Sequence, residues 1–426
     1  MDIFLRKLKN GIPVIFVPRP DMQTFLQLCI VSGGSRYERS EVAGISHLLE
    51  HMMFKGTILR PTSKEINEEL DSFGGPSNAF TGNDYIGFYA GARAVNFRDI
   101  TDLLADQILN STLPSDELEK EKGAVYEEIH SSESTPSNLV FEILPKLMYG
   151  DQAAGRTPLG TEDKVRAITR RQLKRYMDRY FVRENFAIVI AGKIPEEEYA
   201  LSILEEYYSD MPSGNLPHKY VVDDNWQGEP EVKIRNMDVP QTWIALGMRA
   251  MDPMHEDYPT LKIISNILGS GMSSRLFTEI REKRGLAYAV GTYLDDDSDK
   301  ADFVVYGGMN PERTTEALMV IKEELKKLKE EPVSPEELRR IKNRLRNSLA
   351  FENDNPISFA LSAGRHFIKF RGLKDSEEEL RRLEAVTPED IMRVAQDIFR
   401  NDNLNLAVVG PHEGTLQEEF AEAISF

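Results

Sequence analysis

The chain has 426 residues, of which 41% are hydrophobic and 29% are charged. These fractions are ordinary for a globular protein, and the length exceeds what one hydrophobic core usually supports, so we expect two domains. The formal net charge of -18, from 70 acidic and 52 basic residues, repels phosphate backbones and argues against nucleic-acid binding. Cys29 is the only cysteine, which excludes an intrachain disulfide and a thiolate metal cluster and fits a reducing compartment.

Segments for membrane insertion or secretion are not predicted either. No stretch approaches the roughly 18 apolar residues that span a bilayer. Met1 to Arg6 do not have the basic start and apolar continuation of a secretory signal. We therefore expect a cytoplasmic protein without a membrane span, bacterial in the first instance, with the mature form of an organellar protein as the alternative.

The first predicted elements are two strands, 4–8 and 12–17, which flank Asn10-Gly11, a dipeptide typical of a two-residue hairpin turn. A third strand is predicted over 23–31. Long helical patterns follow, among them 115–130 and 335–351. Hairpins combined with helices indicate an α+β fold with mainly antiparallel sheets. The chain has no dinucleotide-binding or phosphate-binding glycine motif.

The strongest chemical signal is the segment His47-Leu-Leu-Glu50-His51, in an apolar stretch predicted to form a largely buried helix. His47 and His51 are four residues apart, so their imidazoles lie on one face, one turn apart, and can share a zinc ion. Glu50 projects beside them, slightly off the ligand direction, as a general base for an attacking water requires. This residue order is an inverzincin signature. The alternative is a buried helix whose two histidines bond to the backbone.

A third zinc ligand has to come from elsewhere, which leaves the fourth position for water. The predicted helix over 115–130 is the best source. Glu121 and Glu128 are seven residues apart and share a face, whereas Glu127 points elsewhere and is the main competitor. For any single glutamate in so acidic a helix, a solvated surface is the alternative, so the pattern alone leaves the choice open.

The chain also contains a diverged internal duplication. In each half a predicted helix is followed by an apolar strand. Four pairs of residues are separated by 218 positions without a gap: Thr169 and Thr387, Phe181 and Phe399, Asn185 and Asn403, and Gly192 and Gly410. We therefore predict two similar domains, each a mainly antiparallel sheet packed with helices. A catalytic zinc-binding domain covers 1–212, a linker 213–229, and a related domain without metal 230–426.

The motif is followed by Phe54-Lys55-Gly56-Thr57, and together they resemble the pitrilysin, insulysin and mitochondrial processing peptidase family, in its short two-domain branch. Glu121 through Glu128 is similar to the family pattern in which the later glutamate binds zinc and the earlier one supports it. The resemblance therefore implies one Zn(II) per chain and selects Glu128 over Glu127. The implied ligands are His47, His51 and Glu128, with Glu50 as the general base and Glu121 as the supporting acid.

Two further segments carry the resemblance. Arg281 and Tyr288 are similar to a pair that the family brings from its second domain to the active site. This implies that Arg281 binds a substrate carbonyl and that Tyr288 donates to the oxyanion of the transition state. From the residues alone, this stretch is only a helix end capped by Gly285. Asn78-Ala79-Phe80 is similar to the edge strand on which family members bind extended peptides.

The resemblance implies a zinc metalloendopeptidase that hydrolyses short or unfolded peptides inside a chamber closed by two half-shells. Because the zinc motif and the Arg281/Tyr288 pair occur in one chain, we expect a homodimer rather than a heterodimer with a related chain. The alternative is a non-catalytic family subunit that acts as a peptide-binding or assembly protein. Such chains usually lose metal ligands, whereas this one retains them. The acidic net charge favours basic peptides as substrates.

Overall fold

The computed structural model describes residues 3–223 and 227–426. Residues 224–226, in the predicted linker, lie outside the described residues. The chain forms two compact units. The first consists of Met1–Ile129, Thr157–Tyr220 and Leu349–Lys374, and the second of His130–Arg156, Val221–Ser348 and Asp375–Phe426. Each unit therefore contains one segment from the other side of the predicted linker: 349–374 in the first unit and 130–156 in the second. The boundaries of the linker itself stay a prediction.

The first half of the chain supplies the strands β1 (Phe4–Lys7), β2 (Pro13–Pro18), β3 (Thr24–Ser32), β4 (Ser77–Thr81), β5 (Tyr85–Arg93) and β6 (Phe186–Gly192). Its helices are α1 (Ile45–Met52), α2 (Ser63–Phe73), α3 (Phe97–Asn110), α4 (Ser115–Ser134), α5 (Pro136–Tyr149), α6 (Glu162–Ala167), α7 (Arg170–Tyr180) and α8 (Glu197–Tyr208).

The second half supplies the strands β7 (Glu231–Asn236), β8 (Thr242–Ala250), β9 (Ala287–Asp296), β10 (Ala301–Met309) and β11 (Asn405–Gly410). Its helices are α9 (Tyr258–Gly269), α10 (Thr314–Glu330), α11 (Pro335–Asp354), α12 (Pro356–Phe370), α13 (Ser376–Ala385), α14 (Pro388–Ile398) and α15 (Gln417–Ile424). A short π-helical turn covers Phe277–Glu282. Among the described residues, no helix is long and apolar enough to cross a membrane.

The first unit is built on a six-stranded sheet in the order β1-β2-β6-β3-β5-β4. The pair β2 and β6 is parallel, and the other neighbours are antiparallel. The predicted pairing of these strands is confirmed, since Phe4 pairs with Phe16 and Lys7 with Pro13. The loop, however, covers 9–11 and is not the predicted two-residue turn, because the Leu8 N–H donates to the Ile12 carbonyl. One sheet face packs against a core that includes α1, α3 and α7. The opposite face packs against α12, so the apolar central strands are covered on both sides.

The second unit is built on a five-stranded sheet in the order β7-β11-β8-β10-β9. Again one pair, β11 and β7, is parallel, and the other neighbours are antiparallel. The two sheets are related by the predicted duplication. Shifting β2 and β3 by 218 residues gives the bounds of β7 and β8. The predicted α+β class with two related domains is therefore confirmed.

Asn185 and Asn403, which are paired by the duplication, make equivalent hydrogen bonds in the two copies. The side-chain amide of Asn185 donates to the carbonyls of Tyr180 and Ser32. That of Asn403 donates to the carbonyls of Ile398 and Arg249. In each copy a buried asparagine thus joins the end of a helix to a central strand, which satisfies backbone groups that would otherwise be buried without partners.

Helices α5 and α12 are equivalent in the duplication, and each belongs to the unit built mainly from the other half of the chain. Leu144 and Met148 of α5 pack against Ala407 and neighbouring residues of the second sheet. Phe359 and Phe367 of α12 pack in the same way on the first sheet. Each sheet therefore receives the helix on one of its faces from the opposite half of the sequence.

Candidate metal centre and edge strand

Helix α1 carries the His-x-x-Glu-His motif, and a buried carboxylate fixes its amino end. Gly44 precedes the helix with a φ of 91°, and a Cβ there would lie 2.7 Å from the carbonyl oxygen of Leu159. The Glu38 carboxylate accepts hydrogen bonds from the backbone N–H groups of Gly44 and Ser46, both at 2.8 Å. It thereby satisfies donors at the helix start and complements the helix dipole.

The apolar side of α1 turns into the core and leaves the polar residues of the motif on the other side. Leu48 and Leu49 are fully buried, whereas the His47 and His51 side chains are 14% and 19% exposed. The two ring centroids are 4.6 Å apart. The spacing of four residues thus brings both imidazoles to one face, as predicted.

Helix α4 brings a carboxylate to the two imidazoles. Oε2 of Glu128 lies 3.5 Å from Nε2 of His47, and Oε1 lies 3.6 Å from Nε2 of His51. The ligand atoms of the three residues all lie within 4.8 Å of one another. Two ligands bound to one tetrahedral zinc at about 2.1 Å are about 3.4 Å apart, so the donor set and its spacing fit this ion. Glu127 is exposed and does not belong to the cluster.

The surroundings of His47 favour the form that can bind a metal. Burial first, and the neighbouring His51 second, lower the pKa of His47 to about 4. Its imidazole is therefore neutral near neutral pH and has a lone pair for a metal ion. Nδ1 of His47 is buried, and no hydrogen-bond partner for it is found among the described residues.

Glu121, also on α4, lies behind His51. Its Oε2 is 3.2 Å from Nδ1 of His51, and its Oε1 is 2.7 Å from Nζ of Lys55. A carboxylate at Nδ1 fixes the ring tautomer so that Nε2 is free for the metal, which is a common outer contact of histidine ligands. Glu121 was predicted from the sequence as a supporting acid, whereas no role was predicted for Lys55. The available signal was its spacing, since Lys55 follows His51 by four residues.

Glu50 lies beside the cluster and is held by a residue of the sheet. The hydroxyl of Thr81, the last residue of β4, donates to its carboxylate. Burial raises the pKa of Glu50, and the Thr81 hydrogen bond and the charge of His51 offset only part of this effect. A carboxylate with a raised pKa next to a metal site is suited to accept a proton. Thr81 was not predicted from the sequence, because a threonine at a strand end has no distinctive pattern.

Asn78, Ala79 and Phe80 lie on β4, which forms one edge of the first sheet and pairs only with β5 among the described strands. The same strand ends at Thr81, the partner of Glu50. Its unpaired side therefore offers backbone N–H and C=O groups next to the carboxylate that lies beside the metal cluster.

Arg281 and Tyr288 belong to the second unit, where the structure places them side by side. The guanidinium carbon of Arg281 lies 5.3 Å from the ring centroid of Tyr288 and 4.9 Å from that of Phe277. Arg281 is on the π-helical turn. Tyr288 is at a register shift between β9 and β10, where Ala287 and Ala289 pair with consecutive residues. Both irregularities are frequent at functional sites, because they redirect side chains.

Tyr288 is 73% exposed, so its hydroxyl is open to solvent or a ligand. Arg281 and Tyr288 were predicted only through the family resemblance, and neither the π-helical turn nor the bulge was predicted. Both depend on hydrogen-bond register, which residue types do not specify.

Family models match both halves of the chain. One, described as "Insulinase (Peptidase family M16)", matches residues 19–162, and a second, described as "Peptidase M16 inactive domain", matches residues 167–345. The chain therefore belongs to peptidase family M16, which confirms the predicted resemblance.

Relatives of similar length extend over nearly the whole chain. An uncharacterized zinc protease of Bacillus subtilis (strain 168) is 31% identical over 403 residues, which cover 95% of this chain and 97% of that protein. One of Rickettsia felis is 32% identical over 414 residues, covering 96% and 98%.

Solved structures show the same fold. A protease from Helicobacter pylori superposes with a TM-score of 0.91 at 24% identity, covering 96% of this chain and 99% of that one. A chain of complex III2 from Candida albicans superposes with a TM-score of 0.85 at 17% identity and full coverage of both chains. The fold thus occurs in proteins with quite different descriptions, and function has to be argued from the site.

Proposed function

We propose that the chain is a zinc-dependent endopeptidase for short or unfolded peptides, with His47, His51 and Glu128 as the ligands of one zinc ion. The observation that carries the proposal is the spacing of 3.5 and 3.6 Å between the Glu128 oxygens and the two imidazoles, with Glu50 beside them. The names of the relatives, zinc proteases, support the choice of metal. Zinc, when bound, would polarise a water molecule and the scissile carbonyl.

The residues of the chain supply the proton transfers. Glu50 takes a proton from the attacking water and later delivers it to the leaving amine. The hydrogen bond from Thr81 holds its carboxylate in place. Glu121 orients His51 through Nδ1, and Lys55 holds Glu121 from its other oxygen.

The substrate binds in extended form along β4, where Asn78, Ala79 and Phe80 offer an unpaired strand edge. From the second unit, Arg281 binds a substrate carbonyl and Tyr288 donates its hydroxyl to the oxyanion of the tetrahedral transition state. The contact of Arg281 with the Tyr288 ring supports a joint role for the two residues.

The chain works as a homodimer in which two half-shells enclose the peptide, and a heterodimer with a related chain is the alternative. The proposal rests on the presence of the metal cluster and the Arg281/Tyr288 pair in the same chain. A cytoplasmic location remains part of the same proposal and follows from the cysteine usage.

The second candidate function is a non-catalytic assembly or peptide-binding subunit. The likeness of the fold to a chain of complex III2 favours it. Two observations argue against it: the complete set of candidate ligands, and a partly buried Glu50 that a binding protein does not need. The two functions differ in one respect that is simple to measure, which is peptide hydrolysis.

The test is hydrolysis of a quenched, unstructured peptide, with bound zinc quantified in the same preparations. We expect wild type to cut and to hold one zinc per chain. Glu50→Gln should hold zinc without cutting, and Glu128→Gln should lose both. Glu127→Gln is the matched control, because the Glu127 carboxylate is adjacent to Glu128 in the sequence but lies outside the cluster. Zinc without hydrolysis across a broad peptide library would favour the assembly subunit, and absence of zinc from wild type would overturn the metal site.

A further inference from the structure

Strand β4 presents different chemistry on its two faces. Ala79 and Thr81 point towards the core that contains α1, and Thr81 bonds to Glu50. Phe80 points to the opposite face, where it packs in the cluster formed with α12. Because side chains alternate along a strand, a peptide added to β4 also sends every second side chain towards the α12 face.

An aromatic group covers the α12 face next to β4. The ring centroid of Phe80 is 5.7 Å from that of Tyr85 and 6.4 Å from that of Tyr89. A Cβ at Gly87 would lie 2.3 Å from Cζ of Phe80. Because Gly87 has no side chain, the Phe80 ring lies close against β5. This face of the sheet next to β4 is therefore apolar.

Two cations of α12 lie at the rim of this aromatic group. The guanidinium carbon of Arg365 is 6.0 Å from the Tyr85 centroid, and Nζ of Lys369 is 5.9 Å from it. The two residues are one helical turn apart on the same face. Both distances are at the outer limit of a cation–π contact, so the ring orients the cations with only weak attraction. Arg365 is exposed, and its Nε donates to the Leu361 carbonyl of its own helix.

We propose that Arg365 and Lys369 select acidic side chains of the substrate peptide at alternate positions along β4. This inference rests on the proposed function, because it needs a peptide on that strand. It differs from the preference for basic peptides that the net charge favours. Charges spread over the surface are screened within about 10 Å. Arg365 and Lys369, by contrast, lie next to Tyr85, whose ring packs against Phe80 of β4.

The experiment uses acetylated and amidated quenched peptides, so that only side chains carry charge. In a neutral host sequence, a single position is changed to Glu, Lys or Gln and moved stepwise along the bound stretch. We expect kcat/KM for Glu peptides to exceed that for Lys peptides by about fivefold at every second position, the range of an exposed ion pair. Alternation of the preference is the signature of a peptide bound as a strand.

Arg365→Glu and Lys369→Glu should reverse the preference at the same positions, measured within each variant as the ratio of kcat/KM for the Glu and Lys peptides. Lys7→Glu makes the same charge change on β1, at the opposite edge of the sheet, and should leave the preference as in wild type. Equal cleavage of Glu and Lys peptides by wild type would overturn the inference. The inference would also fail if Lys7→Glu changed the preference as much as Arg365→Glu, because net charge alone would then explain it.

A binding measurement separates this inference from the proposed function. Fluorescence anisotropy gives the affinity of the same peptides for zinc-loaded Glu50→Gln, which should bind them without cutting. If wild type cuts no peptide but Glu peptides still bind more tightly, the proposed function fails and the acidic selection stands. If wild type cuts the Gln peptide without preferring Glu at alternate positions, the proposed function stands and the selection fails.

Discussion

Lys55 and Glu121 form an ion pair that continues to His51, one of the proposed metal ligands. Nζ of Lys55 lies 2.7 Å from Oε1 of Glu121, and the second oxygen of the carboxylate lies 3.2 Å from Nδ1 of His51. The side chains of Glu121 and Lys55 are only 12% and 22% exposed, so solvent screens the pair less than a surface contact. The position of the His51 ring therefore depends on a cation that is not itself a ligand.

Lys55→Met should weaken zinc binding by about tenfold, the lower range for loss of an outer contact of a metal site. Without the lysine, Glu121 has one partner fewer and holds His51 less firmly. Competition with a zinc-binding dye measures the affinity. Lys120→Met, on an exposed part of α4, is the control and should bind zinc as wild type does. Equal affinities of the two variants would contradict the role given to Lys55.

Cys29 should be inert to thiol reagents in the native protein at pH values near 8. Burial raises the pKa of its thiol to about 12, and hydrogen bonds from Tyr208 and Gln27 offset only part of this effect. A raised pKa lowers the fraction of reactive thiolate at any pH below it. Since there is one cysteine, the absorbance of an aromatic disulfide reagent reports this site alone. We expect labelling only after denaturation, and rapid stoichiometric labelling of native protein would contradict the burial.

Lys300 should be essential for the stability of the second unit. Its Nζ lies 2.7 Å from Asp302 and 3.6 Å from Asp297, and all three side chains are at most 5% exposed. Lys300→Met leaves two buried carboxylates without their cation, which costs about 3–5 kcal/mol. The loss of unfolding free energy is measured by urea titration, with hydrogen exchange of the β10 amides as the readout.

Lys146→Met is the comparison for Lys300. Lys146 also belongs to the second unit and pairs with Asp151. Both side chains are exposed, at 56% and 98%, so the removal of Lys146 should leave the stability nearly unchanged. Adding Asp302→Leu to Lys300→Met should recover part of the loss, because one unpaired carboxylate is then removed. A Lys300→Met variant as stable as Lys146→Met would contradict the role given to Lys300.

Two glycines should respond in opposite ways to alanine. At Gly75, just before β4, an added Cβ would lie 1.8 Å from the Gly91 carbonyl oxygen, so Gly75→Ala should displace the start of the edge strand and lower thermal stability. At Gly123, inside α4, nothing lies within 4 Å of the added atom. Gly123→Ala should therefore stabilise by about 0.5–1 kcal/mol through helix propensity. Thermal unfolding compares them, and stabilisation by both would show that β4 tolerates displacement.

The sequence predicted the parts of the fold that depend on local patterns. The first two strands pair as predicted, although their loop is longer than Asn10-Gly11, and the motif helix and the helix over 115–130 are found as α1 and α4. The 218-residue repeat predicted two related domains, and in the structure β7 and β8 follow β2 and β3 by 218 residues. Within the cluster, helical spacing explains why His47 and His51 share a face. It left Glu127 and Glu128 as competitors. The family resemblance selected Glu128, and the structure places Glu128, not Glu127, in the cluster.

Contacts between distant segments could not be read in the same way. Thr81 reaches Glu50 because β4 lies next to α1, and nothing in the residues near Thr81 indicates that neighbour. The face of α12 that carries Arg365 and Lys369 reads as an ordinary solvated helix surface. Its closeness to Tyr85 follows from the sheet on which the helix packs, which an amphipathic pattern does not specify.

The placement of α5 and α12 has a consequence for the history and the handling of this chain. A fragment that ends in the linker keeps α5 but lacks α12, so one apolar face of its sheet is bare, and the complementary fragment has the converse defect. Neither fragment should fold alone, although the two expressed together should recover the native packing. A primordial protein with a single repeat would have met the same problem and could solve it by exchanging this helix with a second copy of itself. The present duplication then preserves a helix-swapped dimer within one polypeptide.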